Sequence, residues 1–382
     1  MVNTYSLIVE RNCEALCLVD LKQRFNVLGL KGEGFVDFSA PLDVALKVAY
    51  LSQSARRVLL KISSGSFSSL DDLSRKISRS FDEDVSFLDL LDTKYRVSCS
   101  RSGAHDFNSV LAEQEVSGLI KSFVSKKGLS VEADYNTSDL VFFLQIVDDN
   151  FLFGIDFAGK DLSKRHYLFF NNPMALKGTI AFNLLLFSGF KPGLVLLDPF
   201  ALAGVIPIEA VLFERNLSVH FFSKDFLFPL KIRDACVELL KEFDSLSHEN
   251  KHNSVFSCDS SFPNIASQKK NSRIAGVERN ISFARVDVSN LDIKNFSKDI
   301  DVVASRIIEP SKNVAEARAV RVYEQLFVSA GEFLSKKGSI SVILRVPDLF
   351  LEVAKKHGFV LDSMLNTSQG QQELVFVKVV RK

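Results

Sequence analysis

Three aspartates stand where apolar segments end, and acids in such places can hold ligands. Residues 194–197 form an apolar run that ends at Asp198, and a short turn carrying Gly204 leads into a second apolar segment, 206–213. This order predicts a buried parallel strand, a tight turn and a helix, the arrangement that opens a nucleotide cleft in a doubly wound sheet. Asp259 and Asp287 close two further predicted strands. Each could accept hydrogen bonds from a ligand or cap the following helix, and their positions leave both roles open.

The glycine turn has one irregularity. A nucleotide-binding turn usually places glycines where a side chain would collide with the ligand. Gly204 supplies one such position, but Leu202 occupies the other. The pattern therefore indicates the strand–turn–helix fold clearly, but it indicates nucleotide binding less clearly.

Basic residues on two turns could contact phosphate. Arg101 and His105 flank Gly103 in a polar turn before a predicted helix, and a solvated loop beside a capped helix is the alternative. Lys164, Arg165 and Lys177 lie in the segment 161–178, which is a plausible RNA-facing linker.

A chain of 382 residues is long enough for two or three domains. We therefore expect these residues to be distributed over more than one domain. Mixed strands and helices predict a ferredoxin-like α+β domain over 1–65 and a second α+β domain over 66–160. After the linker, strands and helices alternate through 179–382. This pattern predicts an α/β doubly wound, mostly parallel sheet with a terminal antiparallel hairpin.

Composition narrows the class of protein. The net charge is +1, so nucleic-acid binding would need a local basic patch rather than bulk attraction. The five cysteines are scattered without metal-ligand spacing, so buried thiols are favoured over zinc and no metal is expected. We expect a cytoplasmic protein, because no signal peptide or membrane-spanning run is evident. The 34 Phe residues fall mostly in apolar runs.

Several segments together resemble the THUMP-domain tRNA (guanine-N2)-methyltransferases. The similarity covers nearly the whole chain, and it is carried by these segments: Gly29-Leu-Lys-Gly-Glu-Gly-Phe35, Arg101-Ser-Gly-Ala-His-Asp-Phe107, Leu162-Ser-Lys-Arg-His-Tyr167, Ile274-Ala-Gly-Val277 and Val286-Asp-Val-Ser289. The resemblance implies a THUMP unit at 66–160 that grips the acceptor stem and 3′ end of tRNA. It also implies a Rossmann-fold methyltransferase domain at 179–382 that binds S-adenosylmethionine.

The resemblance assigns roles to individual residues. Asp198 and Gly204 match the cofactor loop, Asp259 matches the acid for the ribose hydroxyls, and Asp287 matches the acid that meets the adenine amino group. Arg101, His105, Lys164, Arg165 and Lys177 are the residues expected to contact RNA.

Two departures affect the expected chemistry. The family's cofactor loop reads Asp-Pro-x-Cys-Gly-Ser-Gly-Thr, whereas this chain has Asp198-Pro-Phe-Ala-Leu-Ala-Gly-Val205. After the fourth strand, the family carries Asn-Pro-Pro-Tyr, whose Asn accepts from the target amine and whose ring stacks on the flipped base. Here the aligned segment is Arg306-Ile-Ile-Glu-Pro310, and an arginine can only donate. A longer strand could instead bring Glu309 and Pro310 into the Asn-Pro place.

These observations favour a tRNA-binding protein with an eroded methyl-transfer centre and weak or no cofactor binding. An active S-adenosylmethionine-dependent tRNA guanine-N2 methyltransferase with a divergent centre is the alternative. A third hypothesis, another ligand in a generic Rossmann cleft, fits the linker and THUMP segments less well.

Overall fold

The structure is a computed structural model that describes residues 2–83, 86–91, 94–136, 138, 140–223, 232–248, 254–291, 296 and 299–382. The helices in these ranges are α1 (Glu14–Phe25), α2 (Leu42–Leu51), α3 (Leu70–Glu83), α4 (Ser109–Lys126), α5 (Gly178–Ser188), α6 (Val205–Glu214), α7 (Arg233–Ser245), α8 (Phe262–Ile274), α9 (Glu316–Phe333) and α10 (Asp348–Lys356). The strands are β1 (Val2–Ile8), β2 (Gly29–Lys31), β3 (Phe35–Pro41), β4 (Arg57–Ser66), β5 (Lys94–Ser102), β6 (Glu132–Ala133), β7 (Leu140–Val147), β8 (Asn150–Asp156), β9 (Leu196–Asp198), β10 (Val255–Asp259), β11 (Ile281–Arg285), β12 (Ile300–Arg306), β13 (Leu334–Leu344), β14 (Phe359–Gln369) and β15 (Gln372–Arg381).

The chain divides into two compact units. Unit 1 comprises Met1–Val9, Leu21–Leu162 and Lys224–Phe243, and unit 2 comprises Glu10–Asp20, Ser163–Ser223 and Asp244–Lys382.

Unit 1 contains one eight-stranded sheet in the order β2-β3-β1-β4-β8-β7-β5-β6. Its pairs are antiparallel except those that β5 makes with β6 and β7, which are parallel. β4 crosses the expected boundary at residues 65 and 66, so strands of both expected N-terminal domains pair in a single sheet. The division into a ferredoxin-like and a THUMP domain stays a prediction.

Unit 2 contains a seven-stranded sheet in the order β11-β10-β9-β12-β13-β15-β14. Counted along the chain, this order is 3-2-1-4-5-7-6, with only β15 antiparallel to its two neighbours. The predicted doubly wound sheet with a terminal antiparallel hairpin is confirmed.

The sheet of unit 2 is covered by a hydrophobic core on each face. Leu196 of β9 packs with the buried apolar residues of α5 and α6, whereas its neighbour Leu197 packs with those of α9 and α10. Adjacent residues of a strand point to opposite faces. The continuous apolar run at 194–197 therefore fills both layers, as expected for a central parallel strand.

In the part of the chain that the structure describes, no helix is both long and apolar enough to cross a membrane.

Candidate active site

A cavity of about 590 Å³ lies in unit 2 beyond the carboxyl ends of the parallel strands. The strands β11, β10, β9 and β12 are consecutive neighbours in the sheet, so the residues that follow them meet at one edge. Among the residues that line the cavity are Leu202, Asp259, Asp287, Arg306, Glu309 and Arg345. Folding thus brings Leu202, Asp259 and Asp287 together with residues of the altered base-contact segment, whereas the predicted loop residues Asp198 and Gly204 do not line this cavity.

The loop between β9 and α6 keeps the backbone of a glycine turn although it contains leucine. Leu202 has a φ of 49° and Gly204 a φ of 82°, both in the left-handed region that favours glycine. The Leu202 amide donates to Asp259 Oδ2 at 3.1 Å, and Gln268 Nε2 donates to the Leu202 carbonyl at 3.3 Å. These bonds hold the strained residue in place, and Leu202 is among the residues that line the cavity.

Asp259 accepts hydrogen bonds at the start of the following helix, and its role toward a ligand stays a prediction. It lines the cavity, and its carboxylate accepts from the Leu202 amide, from the Ser261 amide at 2.8 Å and from Asn264 Nδ2 at 3.0 Å. A carboxylate offers about four acceptor positions, so little capacity is left for ligand hydroxyls.

Asp198 lies at the end of β9 and is buried. Its Oδ1 accepts from Ser305 Oγ at 2.5 Å and from the Phe200 amide at 3.2 Å. Burial raises the pKa of Asp198 to about 7, and the negative charge of Asp259 acts in the same direction. A carboxyl in this state is partly protonated at neutral pH, and it serves the loop rather than a solvent-exposed ligand.

Asp287 is exposed and lines the cavity on the β11 side. Its Oδ1 accepts from the amide and the hydroxyl of Ser289, at 3.0 and 2.7 Å. The aspartate thus caps a short turn, yet it keeps one carboxylate oxygen clear of these bonds. Gly204, by contrast, packs against Gln268, with 3.2 Å from an added Cβ to the nearest Gln268 atoms.

Arg306 ends β12 and turns a buried cation toward the cavity. Arg306 is only 8% exposed, and its Nη1 donates a hydrogen bond to the Met174 carbonyl at 2.9 Å. Burial lowers the pKa of Arg306 from its ordinary value. Every polar hydrogen of this group donates, so it cannot take the place of the family's acceptor.

Glu309 does not replace that acceptor either. Its carboxylate accepts from the amides of Arg345 and Val346, at 2.6 and 3.2 Å, and it pairs with Arg345 Nε at 3.3 Å. These three donors hold Glu309 against the segment after β13. The hypothesis that a longer strand brings Glu309 and Pro310 into the Asn-Pro place finds no support here, because β12 ends at Arg306.

The linker cations have different environments. Lys164 is exposed and Lys177 is half-buried, but the Arg165 side chain is fully buried. Arg165 donates to both carboxylate oxygens of Glu209, at 2.8 and 3.2 Å, and Tyr167 donates to the same carboxylate at 2.6 Å. The predicted RNA contact of Arg165 is contradicted by this position, because a buried guanidinium engaged with Glu209 cannot reach a phosphate on the surface.

The polar turn of unit 1 is fixed internally. Arg101 Nη1 donates to His105 Nδ1 at 2.8 Å and to the Gly103 carbonyl at 3.2 Å. His105 Nε2 donates to the Asp148 carbonyl at 2.9 Å, which places the ring proton on Nε2. These bonds fix the orientation of the partly exposed Arg101 side chain. A guanidinium that contacts a phosphate needs such an orientation.

Sequence reasoning missed several residues around the cavity. Arg345 follows β13 and Gln372 begins β15. Both lie far in sequence from the glycine turn, so no motif indicated them. Two aromatic side chains, Phe169 and Phe262, are 77% and 64% exposed although the phenylalanines were assigned mostly to apolar cores. No motif in the sequence indicated that these two rings are exposed. Among the described residues, no group of three or more His, Cys, Asp or Glu side chains could hold a metal ion.

The comparison with protein families decides the class. A family model for the RMKL-like methyltransferase domain (UPF0020) matches residues 165–366, more than half of the chain. The chain belongs to this methyltransferase family. The match begins in the linker and spans the cavity-lining loops described above.

Curated relatives support the same class. The tRNA (guanine(6)-N2)-methyltransferase of Methanocaldococcus jannaschii is 26% identical over 347 residues, which are 89% of each chain. That of Archaeoglobus fulgidus is 23% identical over 261 residues, 68% of this chain and 62% of the relative. The resemblance to the THUMP-domain tRNA (guanine-N2)-methyltransferases is confirmed.

A solved structure shows the same fold. SMU.472, complexed with SAH, superposes with a TM-score of 0.82 over 100% of this chain and 98% of its own, at 16% identity. At this identity the likeness concerns the fold.

Proposed function

We propose that this member of the methyltransferase family binds tRNA and that its cavity does not transfer a methyl group to guanine N2. The single observation behind this proposal is Arg306, a buried donor at the place where the family needs an acceptor.

Methyl transfer to an exocyclic amine needs oriented acceptors and, in this family, a ring to stack on the flipped base. Arg306 supplies only donors, and the acceptors of Glu309 are engaged by Arg345 and Val346. The segment 306–314 contains no aromatic residue. An amine placed here would meet the cation of Arg306, while Glu309 is held by Arg345 and Val346, so these residues would give the reaction little assistance.

The residues around the cavity fit S-adenosylmethionine only in part. Asp287, after β11, keeps one carboxylate oxygen that suits the donors of a nucleoside, whereas Asp259, after β10, already accepts three hydrogen bonds within the protein. The Leu202 side chain narrows the loop side, and Arg306 adds a desolvated positive charge to a cavity that would have to accept a sulfonium cation. The fit therefore fails where the cofactor carries its reactive charge.

For tRNA we propose contacts through Arg101 and His105 in unit 1 and through Lys164 and Lys177 in unit 2. Duplex RNA is recognised largely through phosphates and 2′-hydroxyls, for which cations on turns and linkers suffice. The exposure of Lys164 and the oriented Arg101 turn support this assignment. The acceptor stem and 3′ end are the proposed region of contact, in line with the family.

An active tRNA methyltransferase with a divergent centre is the second candidate. The observation that favours it is the cavity itself, because Asp259 and Asp287 line a space of about 590 Å³, which is within the range of small-molecule sites.

Labelled S-adenosylmethionine and unmodified tRNA distinguish the two candidates. We expect no methyl incorporation by the native protein and a retained tRNA complex in a gel shift of the same sample. The matched variant is Asp287→Ala, chosen because this side chain is exposed and its removal leaves the core intact. Incorporation by the native protein that is lost in Asp287→Ala would establish the enzyme and refute the proposal.

A further inference from the structure

The exposed phenylalanines of unit 2 border one helix, α8. Phe169, Phe222 and Phe262 are 77%, 59% and 64% exposed, and every other described phenylalanine is buried or half-buried. Phe262 begins α8. Phe222 packs over Gly276, just beyond the end of the helix, where an added Cβ would clash with the ring. Exposed apolar groups that gather in one region, rather than lying scattered, mark an interaction surface.

The linker holds the third ring beside α8. The amide of Phe170 donates to Asn271 Oδ1 at 3.0 Å, and Asn271 Nδ2 donates back to the Phe170 carbonyl at 3.0 Å. Further along the linker, Asn172 Nδ2 donates to Asn264 Oδ1 at 3.3 Å. These bonds fix the linker backbone along the helix, so Phe169 stays next to α8 while its ring faces solvent.

The solvent face of α8 is basic. Lys269, Lys270 and Arg273 are exposed, and the helix contains no aspartate or glutamate. Lys269 and Arg273 follow Phe262 by seven and eleven positions, spacings that return to the same face of a helix. Glu278, beyond the helix, pairs with Arg273 at 2.8 Å and also interacts with the charge of Lys269. The three cations outnumber this acid, so the face is positively charged.

The two lysines lie beside aromatic rings. Lys270 Nζ is 4.5 Å from the centroid of the Phe170 ring, and Lys269 Nζ is 5.8 Å from that of Phe283. Both lysines are exposed, so their ammonium groups are accessible to an anion. Cations interleaved with exposed rings are the combination that binds single-stranded nucleic acid, in which bases stack on the rings and phosphates meet the cations.

We propose that the α8 surface, formed by the residues Phe169, Phe222, Phe262, Lys269 and Lys270, binds an unpaired RNA strand. This inference rests on the proposed function of tRNA binding and names a further surface for it. An unpaired strand presents flat base faces together with phosphates, whereas a duplex keeps its base faces within the stack. α8 is about 20 Å long, which matches roughly six stacked nucleotides.

Fluorescence anisotropy with a labelled oligouridylate of about twelve nucleotides tests the α8 surface directly. Phe169→Ala and Phe262→Ala should each weaken binding about fivefold or more, because each removes a ring on which a base stacks. The affinity for the same strand annealed to oligoadenylate should stay within about twofold. Lys270→Gln should weaken binding of the single strand and lower its salt slope by about 0.7, since one phosphate contact is lost.

Matched controls come from exposed positions elsewhere in unit 2. Val328→Ala removes an exposed apolar side chain of α9, and Lys355→Gln removes an exposed cation of α10. Both should retain the native affinity for the oligouridylate. The substituted side chains are all exposed, so each variant should keep the native urea unfolding curve.

A tRNA gel shift on the same proteins separates this inference from the proposed function. If the native protein binds tRNA but not the oligouridylate, or if the α8 variants bind the oligouridylate as tightly as the controls do, the α8 surface is not an RNA site and the proposed function stands. Binding of the oligouridylate that the α8 variants weaken, without any binding of tRNA, would support the surface and refute the proposed function. Binding of neither RNA would overturn both.

Discussion

Replacing Leu202 tests whether a single side chain keeps S-adenosylmethionine out of the cavity. Leu202→Gly removes four carbon atoms from the lining of a cavity of about 590 Å³ and places glycine at a φ of 49°. We expect at least a tenfold gain in affinity for SAH, which corresponds to about 1.4 kcal/mol. The gain for S-adenosylmethionine should be smaller, because its sulfonium still meets the charge of Arg306.

The stability of this variant follows from opposing terms. A left-handed backbone costs a residue with a Cβ about 1–2 kcal/mol, and glycine removes that cost. Glycine also loses about 0.5–1 kcal/mol of backbone entropy, and some packing of a half-buried leucine disappears. The net change in the free energy of unfolding should therefore stay within about 1 kcal/mol, so binding can be compared between folded proteins.

Leu202→Ala separates the effect of opening the cavity from the effect of relieving the left-handed backbone strain. Alanine opens the cavity but keeps the Cβ, so it should gain affinity while remaining less stable than the glycine variant. The assay is calorimetric titration with SAH and S-adenosylmethionine, preceded by a urea unfolding curve for each protein. If both variants are folded and neither binds either ligand more tightly, the leucine is not the barrier and the steric argument is wrong.

Three further predictions concern other residues. The pKa of Asp198 is about 7 in the folded state and near 4 when unfolded, so its carboxyl costs stability increasingly as pH rises through this interval. Asp198→Asn should therefore gain on the order of 2–3 kcal/mol more at pH 8 than at pH 5 in urea unfolding, and a pH-independent difference would contradict the assigned burial. Arg165→Gln leaves Glu209 buried without its cation and should lower the free energy of unfolding by about 3–5 kcal/mol. Lys164→Glu should leave that free energy unchanged and weaken tRNA binding in a gel shift. Equal stabilities of the two variants would refute this contrast between a buried and an exposed cation. Arg101→Glu should weaken tRNA binding and lower its salt slope, and unchanged affinity at all salt concentrations would remove this residue from the interface.

Local patterns were sufficient for the first strand, turn and helix of the doubly wound sheet in unit 2, although they did not indicate α10. The apolar run at 194–197, the turn with Gly204 and the segment 206–213 predicted β9, its loop and α6, because strand burial and turn conformation depend on residues close in sequence. The same reasoning found the parallel strands and the terminal hairpin. It also singled out Leu202, which the structure shows at a positive φ, a conformation that favours glycine.

The sequence alone determined the class of fold, the position of the cavity and the two departures from the family's motifs. Each of these features depends on residues that are close together in the sequence. The tertiary structure decided which charges are available. Lys164 and Arg165 are adjacent cations, yet one is exposed and the other is paired with Glu209, 44 positions further along the chain. Glu309 is likewise engaged by Arg345, although both residues line the cavity together with Arg306. Burial and pairing depend on residues that only folding brings together, and no local pattern encodes them.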